Sequence, residues 1–326
     1  MSSDRAVPLP VAVPLPADVA HLRPQNAMGL AYILNALLLT SASVVLTTRP
    51  ELVNWTAGQV LLALALVQWF VLLHECGHGI LFRTSRWNDL AGEVAGLFSF
   101  IPFRCWTAIH NQHHRWTGWQ DLDPTTATLV PREISMPQRI LMSVCWRFWI
   151  PIFVLVYRIN NFWNWPRLRR LFPDRALKKR LVLDILGVTA VYVGIVYGFG
   201  FFPLVRSFGV GILLSMVFIE SLILSQHTHV PMTLSEGAAV RPYSAREQDA
   251  FTRSLTLPRW FSRWILVNVD AHELHHVYPQ VPGYLLPKID YEPKNLASWW
   301  HFVLAAHRLP APVFLFQNRN QSGATV

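Results

Sequence analysis

Charged residues are scarce. Asp, Glu, Lys and Arg make up 14% of the 326 residues, where a soluble globule carries about a quarter. The chain is 52% hydrophobic with a mean hydropathy of +0.29, and its apolar residues gather into runs near the roughly 20 residues that cross a hydrocarbon core as helix. A water-soluble fold is excluded. Cysteine is equally sparse: Cys76, Cys105 and Cys145 form no CxxC pair and no even set, so neither a disulfide framework nor a thiolate zinc knuckle is supported. Acidic residues are outnumbered, 19 against 28 Lys and Arg, for a net charge of +9. That balance fits nucleic acid or an anionic membrane surface; the apolar composition decides for the membrane, and no nucleic-acid partner is expected. No signal peptide is expected in residues 1–27, because the prolines of PLPVAVPLPADVAHLRP interrupt any apolar core.

The remaining pattern predicts an all-α integral membrane protein. Residues 1–27 read as a flexible, Pro-rich leader, residues 28–310 as the membrane domain, and residues 311–326 as a flexible tail. Four spans are expected at about 28–46, 57–82, 181–204 and 208–224, forming two hairpins, the second joined around Pro203 and Arg206. Residues 90–103 are too few to cross and read as interfacial. Residues 140–159 are long enough but contain Arg147, Pro151 and Arg158, and charge decides their placement. Arg167, Arg169, Arg170, Arg175, Lys178, Lys179 and Arg180 should stay cytoplasmic. If residues 140–159 lie flat, both flanking segments and the C-terminal region share that face, leaving only Arg49 and Arg206 of the basic residues external. Residues 297–309 read as an amphipathic helix with Trp299 and Trp300 at the interface, part of a cytoplasmic cap.

Eight of the 13 histidines fall in three five-residue windows: His74 and His78; His110, His113 and His114; His272, His275 and His276. His227 and His229 stand together at the end of the fourth span. On a helix, residues at i and i+4, or i, i+3 and i+4, project from one face, so each window is expected to converge on a point. Imidazole suits zinc, copper, iron and nickel. Since one tetrahedral ion takes four ligands, eight to ten imidazoles on one membrane face imply two ions. His74 to His78 and His272 to His276 also match HExxH, the zinc protease motif. A protease needs only one such motif, leaving the second copy and HNQHH without a role. A metal transporter would place ionisable residues within the spans, where Asp184 and Glu220 are the main exceptions.

The boxes HECGH, HNQHH and HELHH, with QHTH ending the fourth span, resemble the membrane fatty acid desaturase and hydroxylase superfamily, and most of all its methyl-end acyl desaturase branch. The likeness covers roughly residues 60–290. Two departures stand out: the second box lacks the basic residues common in that branch, and VPMTLSEGAAVRPY replaces its usual Pro, His and Tyr run. The resemblance implies two iron ions held by His74, His78, His110, His113, His114, His272, His275 and His276, with His227 or His229 supplying another. It implies O2 as co-substrate, reduced to water with paired donors, and a double bond introduced into an acyl chain carried by lipid, coenzyme A or carrier protein. Hydroxylation, ketolation and acetylenation on the same scaffold, also of a non-lipid amphiphile, are the alternatives. Asp121, Asp123, Asp270 and Glu273 are close enough in sequence to support ligating imidazoles, as is Glu75. Cys76 reads as a packing residue. No haem-binding domain is read in the sequence, so electrons are expected from a separate ferredoxin or cytochrome, and the active site is expected on the cytoplasmic face of a bacterial inner membrane.

Overall fold

The computed structural model describes residues 19–317 and 319–324; the first 18 residues of the expected leader lie outside them. Helices α1 (Asn26–Thr47) and α2 (Leu52–Gly77) pack along each other, followed by α3 (Ser85–Ser99) and α4 (Phe103–Trp116). Next come α5 (Met136–Arg147), α6 (Ile152–Arg158), running on through a π-turn to Trp163, and α7 (Trp165–Leu171). Two long helices follow, α8 (Arg175–Phe199) and α9 (Phe201–His227). The polar final third carries a 3₁₀ turn at Ala245–Phe251, β1 (Ser254–Thr256), α10 (Arg259–Trp264), α11 (His272–Val277) and a second 3₁₀ turn at Gly283–Lys288. It ends in β2 (Leu296–Ser298), α12 (Trp299–Arg308), α13 (Ala311–Phe316) and the single turn α14 (Arg319–Ser322). The two strands pair in parallel, three residues each.

Helices α1, α2, α8 and α9 are long and apolar enough to cross a membrane. Of their apolar windows α2 is 61% buried within the protein and α8 only 11%, which makes α2 the central post and leaves α8 to face lipid. Polar groups inside this bundle find partners, as a medium without water requires. Gln59 on α2 donates to the Ser207 carbonyl at 2.7 Å and accepts from the Gly211 N–H at 2.6 Å, tying α2 to α9. Gln68 accepts from Asn35 on α1 at 3.0 Å and donates to the Trp264 carbonyl at 3.0 Å.

Two acids of the spanning helices, Asp184 and Glu220, serve as helix caps. Asp184 Oδ2 on α8 accepts from the backbone N–H groups of Arg104 and Cys105, at 2.8 and 3.2 Å, in the first turn of α4. Glu220 Oε2 on α9 accepts from Val154 at 2.9 Å in the first turn of α6. Each satisfies N–H groups that a helix start leaves orphaned, so neither acid is free for an ion pathway.

Several boundaries differ from expectation. The second span begins at Leu52 and ends at Gly77, because Ile80, Leu81 and Phe82, apolar enough to extend it in sequence, are buried in the turn after it. The second hairpin breaks at Gly200 rather than at Pro203 and Arg206: Gly200 adopts φ 79°, a conformation cheap only for glycine, and Pro203 sits in the first turn of α9, where no helix bond is lost. The segment expected to lie flat at 140–159 is two helices meeting at 115°, with Trp149 at φ 56° and Pro151 in the corner. The expected leader already joins the fold at Val19 and Leu22, both buried. The expected flexible tail instead begins with α13, whose apolar PVFLF run buries Phe314, Leu315 and Phe316. In α12, Trp300 is exposed but Trp299 is buried against Phe218, with ring centroids 5.1 Å apart.

Candidate metal centre

Four helices deliver imidazoles to one place. α2 ends with His74 and, one residue past its end, His78; α4 carries His110, His113 and His114; α9 ends on His227; α11 carries His272, His275 and His276. They sort into two groups, within each of which the ring nitrogens all lie within 4.8 Å of one another: His74, His78, His110, His114 and His275 in the first, and His113, His227, His272 and His276 in the second. The two are adjacent, with His114 stacked on His276 at 4.3 Å.

This division corrects the expectation that each box converges on one point. In both HxxHH boxes the i and i+4 histidines stay together while the i+3 histidine crosses to the other group: His113 leaves His110 and His114, and His275 leaves His272 and His276. At 100° per residue the i+3 side chain stands about 100° from its i+4 neighbour, so a helix placed between two centres serves both.

His229 belongs to neither group. Its Nε2 lies 2.7 Å from Ser322 Oγ and its ring stacks near Phe314 at 6.0 Å. α9 stops at His227, Thr228 is extended, and His229 takes φ 60°, which turns it toward the C-terminal segment. Cys76 is buried and also lies outside both groups.

Outer hydrogen bonds fix the rings. Asp123 Oδ2 receives His113 Nδ1 at 2.7 Å, and its other oxygen receives the Thr125 N–H and hydroxyl, each at 2.8 Å. Glu75 Oε1 lies 3.3 Å from His74 Nδ1 while Oε2 accepts from the Gly283 N–H at 2.8 Å. Gln248 donates to the His114 carbonyl at 2.6 Å, which turns its Oε1 toward His276 Nδ1 at 2.9 Å. Sequence reasoning missed Gln248, which lies 28 residues from its partner; no spacing rule connects the two. It also missed Arg253, whose buried guanidinium donates to the carbonyls of Ser225, Thr228 and His229. One is an orphan carbonyl in the last turn of α9 and the other two follow its end, so Arg253 fixes where His227 stands.

The other acids singled out in the sequence act at a remove. Asp121 accepts from the Ser235 N–H at 2.9 Å. Asp270 accepts from the Ser262 hydroxyl. Glu273 accepts from the backbone N–H groups of Ser254, Lys294 and Asn295. Asp270 and Glu273 tie the segments next to α11, Asp121 ties the loop after α4 to the loop after α9, and none of the three touches an imidazole of either group in the hydrogen bonds of the described residues. Glu273 is thereby committed to the backbone, and Glu75 to Gly283 and His74, so neither HExxH glutamate is placed as the free base a zinc protease requires.

The arrangement fits metal ions and little else. Burial, reinforced by neighbouring rings, pushes His110, His114, His272, His275 and His276 well below the usual imidazole range, keeping them neutral. Where Nδ1 faces Asp123, Glu75 or the Gln248 oxygen, the proton sits on Nδ1 and Nε2 carries a bare lone pair. The inward ring nitrogens crowd together: His113 and His227 Nε2 are 3.1 Å apart, His227 and His272 2.7 Å, His276 and His272 3.2 Å, and His110 lies 2.9 Å from His78 and 3.0 Å from His114. His74 Nε2 has no hydrogen-bond partner among the described residues. Without a cation, the four ring nitrogens left unpartnered, on His74, His114, His227 and His272, would cost roughly 4–12 kcal/mol. Two imidazoles on one ion at about 2.1 Å sit about 3 Å apart, the observed spacing, and binding a transition metal returns an energy of comparable size. Replacing Asp123 with Asn is expected to lower metal retention by about 10–100-fold, read as metal per purified chain; retention within about twofold of wild type would show the His113 bond to be dispensable.

Beside the histidines lies a cavity of about 350 Å³. His74, His110, His113, His227 and His272 form one wall, and side chains from α2, α4, α5, α6, α9 and α13 and from the loop at 125–134 most of the rest. Its lining is largely apolar, from Phe70 and Val71 through Leu222 to Leu315 and Phe316. An elongated apolar chain can lie there against the metal-facing imidazoles.

Comparison with known proteins agrees. The fatty acid desaturase family model matches residues 51–308, and the chain belongs to that family. It is 25% identical over 233 residues to an sn-1 oleoyl-lipid 12-desaturase of Picosynechococcus sp., covering 68% of this chain and 64% of that protein. It is 23% identical over 301 residues to the like-named protein of Arthrospira platensis, covering 87% and 83%, and 25% identical over 235 residues to an sn-1 acyl-lipid omega-3 desaturase (ferredoxin) of Nostoc sp., covering 67% and 61%. These relatives are of the methyl-end type. The match spans just under two thirds of the first relative's length.

Proposed function

We propose that this protein is an oxygen-dependent di-iron acyl desaturase of a bacterial inner membrane, with its histidines on the cytoplasmic face. The observation that carries the reading is nine imidazoles, divided five and four, of which five form a wall of an apolar cavity. His74, His78, His110, His114 and His275 would hold one iron, and His113, His227, His272 and His276 the other. When bound, the irons supply the reduction of O2 and the removal of hydrogen from an unactivated methylene. Electrons balance when two come from the acyl C–H bonds and two from an external donor, giving a double bond and two waters.

The chain's own residues do the rest. Asp123, Glu75 and Gln248 keep the ring protons on Nδ1, so the nitrogens facing inward stay unprotonated ligands. The cavity holds the chain against the centre and excludes water, the protein's part in cofactor chemistry. Trp106, stacked on His110 at 4.2 Å and lining the cavity, keeps that ring in place while presenting an apolar face to the substrate. The names of the relatives support an acyl-lipid substrate and a ferredoxin donor, which the seven basic residues at 167–180 would attract by complementary charge.

Expression in a host with a matching reductase, followed by mass spectrometry of total lipids, tests this. Loss of two hydrogens from an acyl chain, absent with His113→Ala, is expected; gain of an oxygen atom, or the same profile from both proteins, would overturn it.

A further inference from the structure

The cavity described above has a mouth, and the mouth has a charge. Its lining is buried or half-buried except at Thr128, Arg132, Gln138, Leu141 and Val156, which are exposed and place the opening between the loop preceding α5 and the α5–α6 pair. Apart from histidines, only two lining residues are of ionisable acid or base type with a formal charge, Arg132 and Glu220. Glu220 is committed to the first turn of α6. Arg132 is different. Its guanidinium lies over the ring of Phe316, 5.5 Å from the centroid, and Phe316 is itself buried and part of the cavity wall. The arginine and lysine ion pairs of the described residues belong to Arg104, Arg241 and Lys294, not to Arg132. An aromatic ring covers one face of a planar guanidinium and leaves the in-plane N–H fork available.

A substrate whose apolar chain fills this cavity leaves its head group at the opening. The group waiting there is a positioned cationic fork, matched to the paired oxygens of a phosphodiester or a carboxylate. We propose that Arg132 is the anchor for the oxyanion of the substrate's head group and makes the protein select anionic over neutral amphiphiles. The proposal rests on the reading of the cavity as the acyl-chain site. Because Arg132 is open to solvent, screening limits its effect, and about a tenfold change in affinity is expected rather than an all-or-none one.

Three probes with the same brominated long acyl chain separate the possibilities: a phosphatidylglycerol, a free fatty acid and a monogalactosyl diacylglycerol. Binding to the full-length, iron-loaded protein in detergent is read by quenching of tryptophan fluorescence, Trp106 lining the cavity. Arg132→Gln is expected to weaken the anionic probes about tenfold and the galactolipid by less than about twofold, with Arg132→Lys in between. A loss confined to the phospholipid assigns a phosphodiester, and one confined to the fatty acid a carboxylate. No binding of anionic probes by wild type, no loss on substitution, or an equal loss for the galactolipid would overturn the anchor. The readout needs no turnover, so charge-selective binding by a protein that forms no double bond would overturn the desaturase reading and leave the anchor standing.

Discussion

His227→Ala is expected to abolish detectable product, a fall of at least about a hundredfold, and to deplete bound iron, whereas His229→Ala keeps product within about twofold of wild type. The two residues are one apart from being neighbours in Gln226-His227-Thr228-His229, and sequence alone offers both as ligands. Geometry separates them. His227 Nε2 lies 3.1 Å from His113 Nε2 and 2.7 Å from His272 Nε2, among nitrogens that need a cation between them. His229 Nε2 faces Ser322 Oγ at 2.7 Å. Removing it loosens the C-terminal segment and touches no ligand. Iron per chain and acyl products from matched expression levels check both halves; equal losses from the two variants would show that the end of α9 is placed wrongly.

Gly283→Ala is expected to remove folded, iron-bearing protein almost entirely. A Cβ at this position would lie 2.1 Å from the Val267 carbonyl oxygen and 3.4 Å from Glu75 Oε1. The first contact is with backbone that cannot retreat. Val267 and Asn268 stand at φ 51° and 58°, a conformation unfavourable for a β-branched residue, and Asn268 is held by a 3.1 Å bond to the Gly283 carbonyl. The same glycine gives its N–H to Glu75, which orients His74. One methyl group therefore pushes on the loop entering α11 and on the first histidine box together, at a cost beyond about 4 kcal/mol. Size-exclusion chromatography with metal analysis of the peak checks it; a monodisperse variant with full iron content would contradict the account of this loop.

The four spans were legible because long apolar runs need no tertiary information, and the histidine windows because i, i+4 spacing is a local property. What lay beyond reach is non-local. The apolar Ile80, Leu81 and Phe82 look like membrane helix but turn into the protein's interior. Asp184 and Glu220, conspicuous in their spans, gained a meaning only when the starts of α4 and α6 were found against them. The sharing of each HxxHH box between two groups depends on α4 and α11 both lying between them, and Gln248 and Arg253 reach the site from a stretch without any motif. The PVFLF run is too short to signal anything but a tail until the cavity wall that Leu315 and Phe316 complete is seen.

The central claim is that nine histidines hold two irons beside an apolar chain site. Metal content per chain of the purified full-length protein, with iron-57 Mössbauer spectra of the same sample, tests it most directly. The account predicts two irons per chain in nitrogen-rich surroundings, with occupancy falling when either His113 or His275, one from each group, is changed to alanine. A single zinc with no iron, or iron content unaffected by both substitutions, would contradict it.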